Sequence, residues 1–263
     1  MTGRCRPLPV NNYPMDLNLK NEFLQKWEKY FGKAELPFVY FYNEDPGTAT
    51  LPDNGKKWNC LICELSRVRK GESLAYDGPG LRCGGAKRYL GYAKELRPKM
   101  EYFLSCGIPD EMEGERYIKT PEMVKEILSK LQNIPAEGKF IIFKRWDKLE
   151  ETDEPEGVIF FATPDVLSGL VTLANYDQPH GDGTIVPFSS GCGSIVYRTW
   201  LENHKAEPKA ILGMFDVSAR PCVPKDTLSF SVPMKKFVTM MANMDESFLI
   251  TESWKKVEKR INQ

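Results

Sequence analysis

Apolar residues recur along the chain with two periods, and the period changes from segment to segment. Between Asp16 and Phe31 they stand at Leu19, Phe23, Trp27 and Phe31, a spacing that puts them on one helical face. Gly32 sits where such a helix would stop. FVYFY (38–42) is a short apolar run of strand type, followed by a loop rich in Asp, Pro, Gly and Asn up to Lys57. From Trp58 to Lys70 the helical period returns, with Trp58, Leu61, Ile62, Leu65 and Val68 inside one arc of about 120°. Gly71 ends this segment, and a polar loop leads to Cys83.

Residues 86–106 carry a helical pattern broken near Pro98. Thr120-Pro121-Glu122 combines a capping hydroxyl, a proline at the first helical position and an acid in the first turn. It predicts a helix whose buried face is Met123, Ile127, Leu128 and Leu131. KFIIFKRW (139–146) and GVIFFA (157–162) predict two strands forming a hairpin, with the acidic stretch Asp147–Glu154 as a solvated turn between them. Thr163-Pro164-Asp165 opens a helix facing inward through Val166, Leu170, Leu173 and Ala174. A helical run at 195–201, strands at 209–215 and 227–232, and helices at 234–244 and 252–261 complete the pattern. Helices and strands interleave without strict alternation. That predicts an α+β fold: a single compact domain over 16–263, with a mixed or antiparallel sheet and flanking helices, behind a flexible N-terminal tail at 1–15.

Composition narrows the function. The hydrophobic fraction of 41% is that of an ordinary globular protein, and Lys plus Arg balance Asp plus Glu at 36 each. No basic run offers a nucleic-acid surface, so no nucleic-acid partner is expected. No apolar stretch approaches the roughly 20 residues of a membrane span, and the N-terminus lacks a signal-peptide core, so a cytoplasmic location is expected. Seven cysteines are an odd number, and thiols in a reducing compartment are expected to be free, buried or metal-bound rather than paired in disulfides.

Four of these cysteines stand out. Cys60 and Cys63 lie nearly opposite the apolar arc of their helix, three residues apart and close to its N-terminal end. Unsatisfied backbone N–H groups there, with Arg67 and Lys70, favour the thiolate, which is the form that binds metal or attacks electrophiles. Cys83 precedes Gly84-Gly85, and Cys192 stands between Gly191 and Gly193 with Ser194 as a candidate helix cap. Glycines let the backbone approach a ligand and direct N–H groups toward it. The opposing reading is that Cys60 and Cys63 form a second buried face and that both glycine segments are plain turns. Cys222, between two prolines, and His180 are possible additions to such a site, whereas Cys5 falls in the tail and Cys106 and His204 close helices.

Scattered thiolates suit an iron–sulfur cluster better than a zinc finger, because only Cys60/Cys63 forms a close pair. The expected cofactor is therefore a [4Fe–4S] cluster on Cys60, Cys63, Cys83 and Cys192, with zinc or no metal as alternatives. Redox or sensing with an electron-transfer or small-molecule partner would follow, and no enzymatic activity is assigned. A second hypothesis rests on Arg220, which could present its fork to a small anionic metabolite together with the Gly191–Gly193 turn and the Gly193 and Ser194 N–H groups. Its opposing reading is an internal Asp216–Arg220 salt bridge. No Walker, dinucleotide or serine-hydrolase motif is present.

Several elements occur in a set order: Cys60-x-x-Cys63 followed by Gly71, Cys83-Gly-Gly-Ala with Leu90-Gly91, the apolar strand and Thr163-Pro164 helix. Gly191-Cys192-Gly193-Ser194, Asp216…Ala219-Arg220-Pro221 and Leu228-Ser-Phe-Ser-Val-Pro233 follow. This ordered set resembles the domain-of-unknown-function 169 family of archaeal and bacterial proteins over roughly residues 20–245. The resemblance implies a cytoplasmic, cysteine-containing protein whose recurrent thiols match Cys83, Cys192 and one of Cys60 or Cys63. It names no metal, reaction or substrate.

Overall fold

The structure is a computed structural model that describes residues 15–52 and 59–263. Cys5 and Trp58 lie outside the described residues, as does the expected tail except Met15. Met15 is buried and donates its N–H to the Asp153 carbonyl at 2.9 Å, so the chain is already anchored there.

One mixed sheet organises the molecule, with strands β1 (Phe38–Asn43), β2 (Leu74–Tyr76), β3 (Phe140–Arg145), β4 (Gly157–Ala162), β5 (Thr184–Ile185), β6 (Ala210–Gly213) and β7 (Leu228–Pro233). Their spatial order is β2-β3-β1-β4-β7-β6-β5, antiparallel except for the parallel β5–β6 pair. The α+β expectation holds. The expected β3–β4 hairpin does not: β1 lies between them and pairs with both, Phe38 facing Arg145 on one side and Ile159 on the other. The turn joining β3 to β4 is also not simply solvated. Asp153 is buried and accepts from the buried Lys144 ammonium at 3.0 Å, with Glu150 closing the pair at 2.7 Å. A charge so enclosed must be matched by a partner, and the acidic turn supplies it.

Both faces of the sheet are covered. Because side chains alternate along a strand, Val39 and Phe41 point to one face and Phe38 and Tyr40 to the other. The first face is packed by helices α1 (Leu17–Phe31), α6 (Pro164–Asn175), α8 (Met234–Asn243) and α9 (Glu252–Ile261). Asp16 caps α1 by accepting from the Asn18 N–H, and Gly32 ends it at φ 55°, a conformation that favours glycine. Rings of Phe23, Trp27, Phe31, Trp146, Phe160 and Phe237 interlock above β1 and β4, with centroid distances such as 4.3 Å for Trp27–Phe31 and 4.8 Å for Phe23–Trp146.

The second face is packed by α2 (Leu61–Arg69), α3 (Gly84–Tyr89) and a long helical segment beginning at Gly191. This segment runs through a π-helical turn, Gly193–Tyr197, into α7 (Arg198–Asn203). A short helix α4 (Met100–Phe103) and α5 (Pro121–Ser129) complete the helices among the described residues. Thr120 caps α5 as expected, accepting from the Met123 N–H, but the expected inward face is wrong. Met123 and Ile127 are exposed, and Val124 is the buried residue of that helix. The apolar spacing was compatible with more than one face, and the packing selected the narrower one.

Candidate metal centre

Four chain segments meet at one edge of the second face. Cys60 is the residue just before α2, in extended backbone conformation, and Cys83 holds the same position before α3. Cys192 lies in the first turn of the helix that starts at Gly191. The fourth segment is the turn Arg220–Cys222. Cys60 is thus outside the helix that the apolar arc predicted, and it accepts the Cys63 N–H on its carbonyl at 3.0 Å as the helix begins.

The Sγ atoms of Cys60, Cys63 and Cys222 all lie within 4.8 Å of one another. Cys63 and Cys222 are joined as a disulfide with Cα atoms 4.7 Å apart. This corrects the expectation of unpaired thiols and brings in Cys222, which local sequence marked only as an optional addition. Cys60, Cys83 and Cys192 are free thiols. Cys192 is part of the buried cluster on this face, against which Cys60, Cys83 and Cys222 pack. A negative charge on Cys83 would be felt by both Cys60 and Cys192. Of the four predicted cysteines, Cys60 and Cys63 belong to this group of three with Cys222, while Cys83 and Cys192 pack on the same apolar cluster outside it.

Glycine at 191 makes the approach possible. A side chain there would come within 2.7 Å of Ile62 Cγ1, so only glycine lets this turn lie against the first turn of α2. The Gly191 N–H donates to Asp216 Oδ2 at 3.1 Å. The other oxygen of Asp216 accepts from Tyr117, from the Ser218 hydroxyl at 2.8 Å and from the Ser218 N–H. Asp216 thereby ties the 190s turn to the loop that carries Cys222. Its buried carboxylate is matched by these donors, and among the described residues it forms no ion pair with Arg220.

The remaining predicted residues fall into place around this centre. The helix starts earlier than expected: Ser190, not Ser194, caps it by accepting from the Gly193 N–H at 3.2 Å. Ser194 is buried and turns its hydroxyl back onto the Gly191 carbonyl at 2.8 Å. Gly85 sits beside Cys83, with its missing side chain 3.7 Å from Sγ, while Gly84 faces open space. Arg220 donates to the carbonyls of Thr227 at 2.6 Å, Lys225 at 3.0 Å and Pro224 at 3.4 Å, so its fork closes its own loop. His180 is exposed on the loop before β5, and His204 sets its ring on the Trp200 carbonyl at 2.8 Å. Cys106 is exposed and contacts its own turn at Gly107.

Electrostatics differ among the thiols. Burial pushes the Cys192 thiol far up, and a charge on Cys83 would push it further, against the hydrogen bond from Ser190. Burial also raises Cys60, opposed by the N–H groups of Ile62 and Cys63 at the start of α2. Tyr89 is pushed up to about 12 by burial and by its nearness to Cys192. For Cys60 and Cys192 burial therefore favours the protonated form unless something replaces the proton. A bound metal cation does that directly, because a coordinating thiol is deprotonated.

Residues 33–243 match the family model DUF169, described as uncharacterised ArCR. The chain belongs to this family. No curated protein and no solved structure matches the chain significantly. The DUF169 stretch takes in Cys60, Cys63, Cys83, Cys192 and Cys222 and ends at the last residue of α8, leaving α9 outside. No helix among the described residues is long and apolar enough to cross a membrane.

Proposed function

We propose that this DUF169 protein binds a metal, in the first place an iron–sulfur cluster, through thiolates drawn from Cys60, Cys63, Cys83, Cys192 and Cys222, and uses it for redox or sensing. The observation that carries this reading is that the sulfurs of Cys60, Cys63 and Cys222 lie within 4.8 Å of one another, with Cys83 and Cys192 packed on the same apolar cluster. Iron–sulfur clusters take all-cysteine ligand sets of this scattered kind, whereas a structural zinc site takes four ligands, usually as two close pairs. The apolar cluster behind Cys192 would limit solvent access, and the N–H groups at the start of α2 would stabilise anionic sulfur.

Metal and disulfide compete for the same atoms. Loading requires two-electron reduction of the Cys63–Cys222 bond to two thiols, each of which gives up its proton on binding. Anaerobic purification under reductant, with iron and acid-labile sulfide analysis, is the direct test. Stoichiometric iron and sulfide, retained in Cys106→Ser and lost in Cys83→Ser and Cys192→Ser, are expected. A protein that stays colourless after reconstitution overturns the cluster; if it takes up zinc instead, the site is metal-binding but not redox-active.

A further inference from the structure

A small recess opens beside Cys83. Asn59, Leu61, Glu64, Tyr76, Leu81, Arg82, Cys83 and Ala86 line it, and its volume of about 10 Å³ holds one water-sized molecule. Tyr76 is 2% exposed, yet its hydroxyl has no hydrogen-bond partner among the described residues. A buried phenol without a partner is costly unless something small fills the place. Burial and the nearby Glu64 carboxylate hold this phenol in its protonated form, so it offers a hydrogen-bond donor. Glu64 itself is engaged by Asn59 and Arg67. The vacant capacity in the recess is therefore for a hydrogen-bond acceptor about the size of water.

The other cysteines of the cluster are less open to such a molecule. Cys63 and Cys222 are bonded to each other, and Cys192 is buried and held by Ser190. Cys60 is half-buried, and it does not line the recess. Cys83 does, next to the exposed Arg82 side chain.

We propose that this recess admits hydrogen peroxide to Cys83, making Cys83 the thiol through which the reduced, metal-free protein responds to oxidant. The Cys83 thiolate attacks one peroxide oxygen; an S–O bond forms and the O–O bond breaks. Sulfur loses two electrons, giving a sulfenic acid, and the departing hydroxide takes a proton from solvent. The Tyr76 hydroxyl donates a hydrogen bond to the peroxide. Cys60 then condenses with the sulfenic acid, forming a Cys60–Cys83 disulfide and releasing water. Neither step involves the cluster, so this inference stands or falls separately from the metal reading.

The test uses the reduced, chelator-treated full chain and one equivalent of hydrogen peroxide, followed by peptide mass spectrometry. The Cys60→Ser variant should trap the sulfenic acid at Cys83 with a sulfenate-specific label. Cys83 should react at least about tenfold faster than the exposed Cys106, which serves as an internal reference. Tyr76→Phe keeps the ring in its packing and should slow Cys83 about tenfold, the effect of one lost hydrogen bond. Equal labelling of Cys83 and Cys106, or an unchanged rate in Tyr76→Phe, would overturn the proposal. A Cys83–Cys192 bridge in the unmodified protein would overturn the second step.

Discussion

The two faces of the sheet are built on different principles. On the first, aromatic rings from α1, β4 and α8 fill the space between helices and sheet, and the buried residues are almost entirely apolar. On the second, cysteines, tyrosines and small residues share the interior with hydrophobic side chains. Among the described residues the hydroxyls of Tyr40 and Tyr76 have no partner there, nor have those of Ser229 and Ser231, which alternate with the inward Phe230 and Val232 of β7. A fold tolerates such incompletely matched polar groups where function needs them and recovers stability elsewhere. The first face supplies stability, and the second has room for chemistry.

The largest test of that contrast is a pair of truncations. Phe160→Ala, emptying the centre of the aromatic face, should cost about 3–5 kcal/mol in denaturant unfolding. Cys192→Ala on the other face should cost only about 1 kcal/mol while abolishing metal uptake. Similar losses from both would mean that the second face is equally a stability core. Next in size is the crosslink. Under oxidising conditions Cys222→Ser should lower stability by about 2–4 kcal/mol, and the difference should vanish in reductant. Gly191→Ala should then cost about 1–3 kcal/mol, because the added methyl meets Ile62, and should lower metal loading more than its stability cost explains.

Per pH unit, the last effect is smaller. Glu156, at the start of β4, is pushed well above the usual carboxylate range by burial first and by the neighbouring Glu137 charge second. Above the unfolded pKa the unfolded chain releases this proton while the native state keeps it, so stability falls as pH rises until the folded carboxyl also ionises. The decline is at most about 1.4 kcal/mol per pH unit for one proton. Glu156→Gln should remove it between pH 5 and 8. An unchanged slope in the variant would show that the buried carboxyl does not govern this window.

Local elements were readable because their causes are local. Asp16, Thr120 and Thr163 announce helix starts at α1, α5 and α6, and alternating Phe, Tyr and Val residues announce β1. Pairing is not local. Nothing in KFIIFKRW or GVIFFA says that FVYFY, about a hundred residues earlier, will lie between them. The same division runs through the candidate centre. Cys60, Cys83 and Cys192 each stand at a helix start with a recognisable signature, and they pack on one apolar cluster. Cys222 has only prolines around it, and its approach to Cys63 depends on Asp216 and Gly191 holding two distant loops. Arg220 shows the complementary case: its fork meets three carbonyls of its own loop, a partner set that local sequence does not announce.

Cys63 and Cys222 are separated by 159 residues. At ordinary translation speeds of about 5–20 residues per second, the early cysteines leave the ribosome roughly 10–30 s before the last of their partners is made. Throughout that interval Cys63 waits on a nascent chain whose strand β7 does not yet exist. The Cys63–Cys222 crosslink is therefore a late event in the life of the polypeptide, waiting on a segment made long after the thiol it joins.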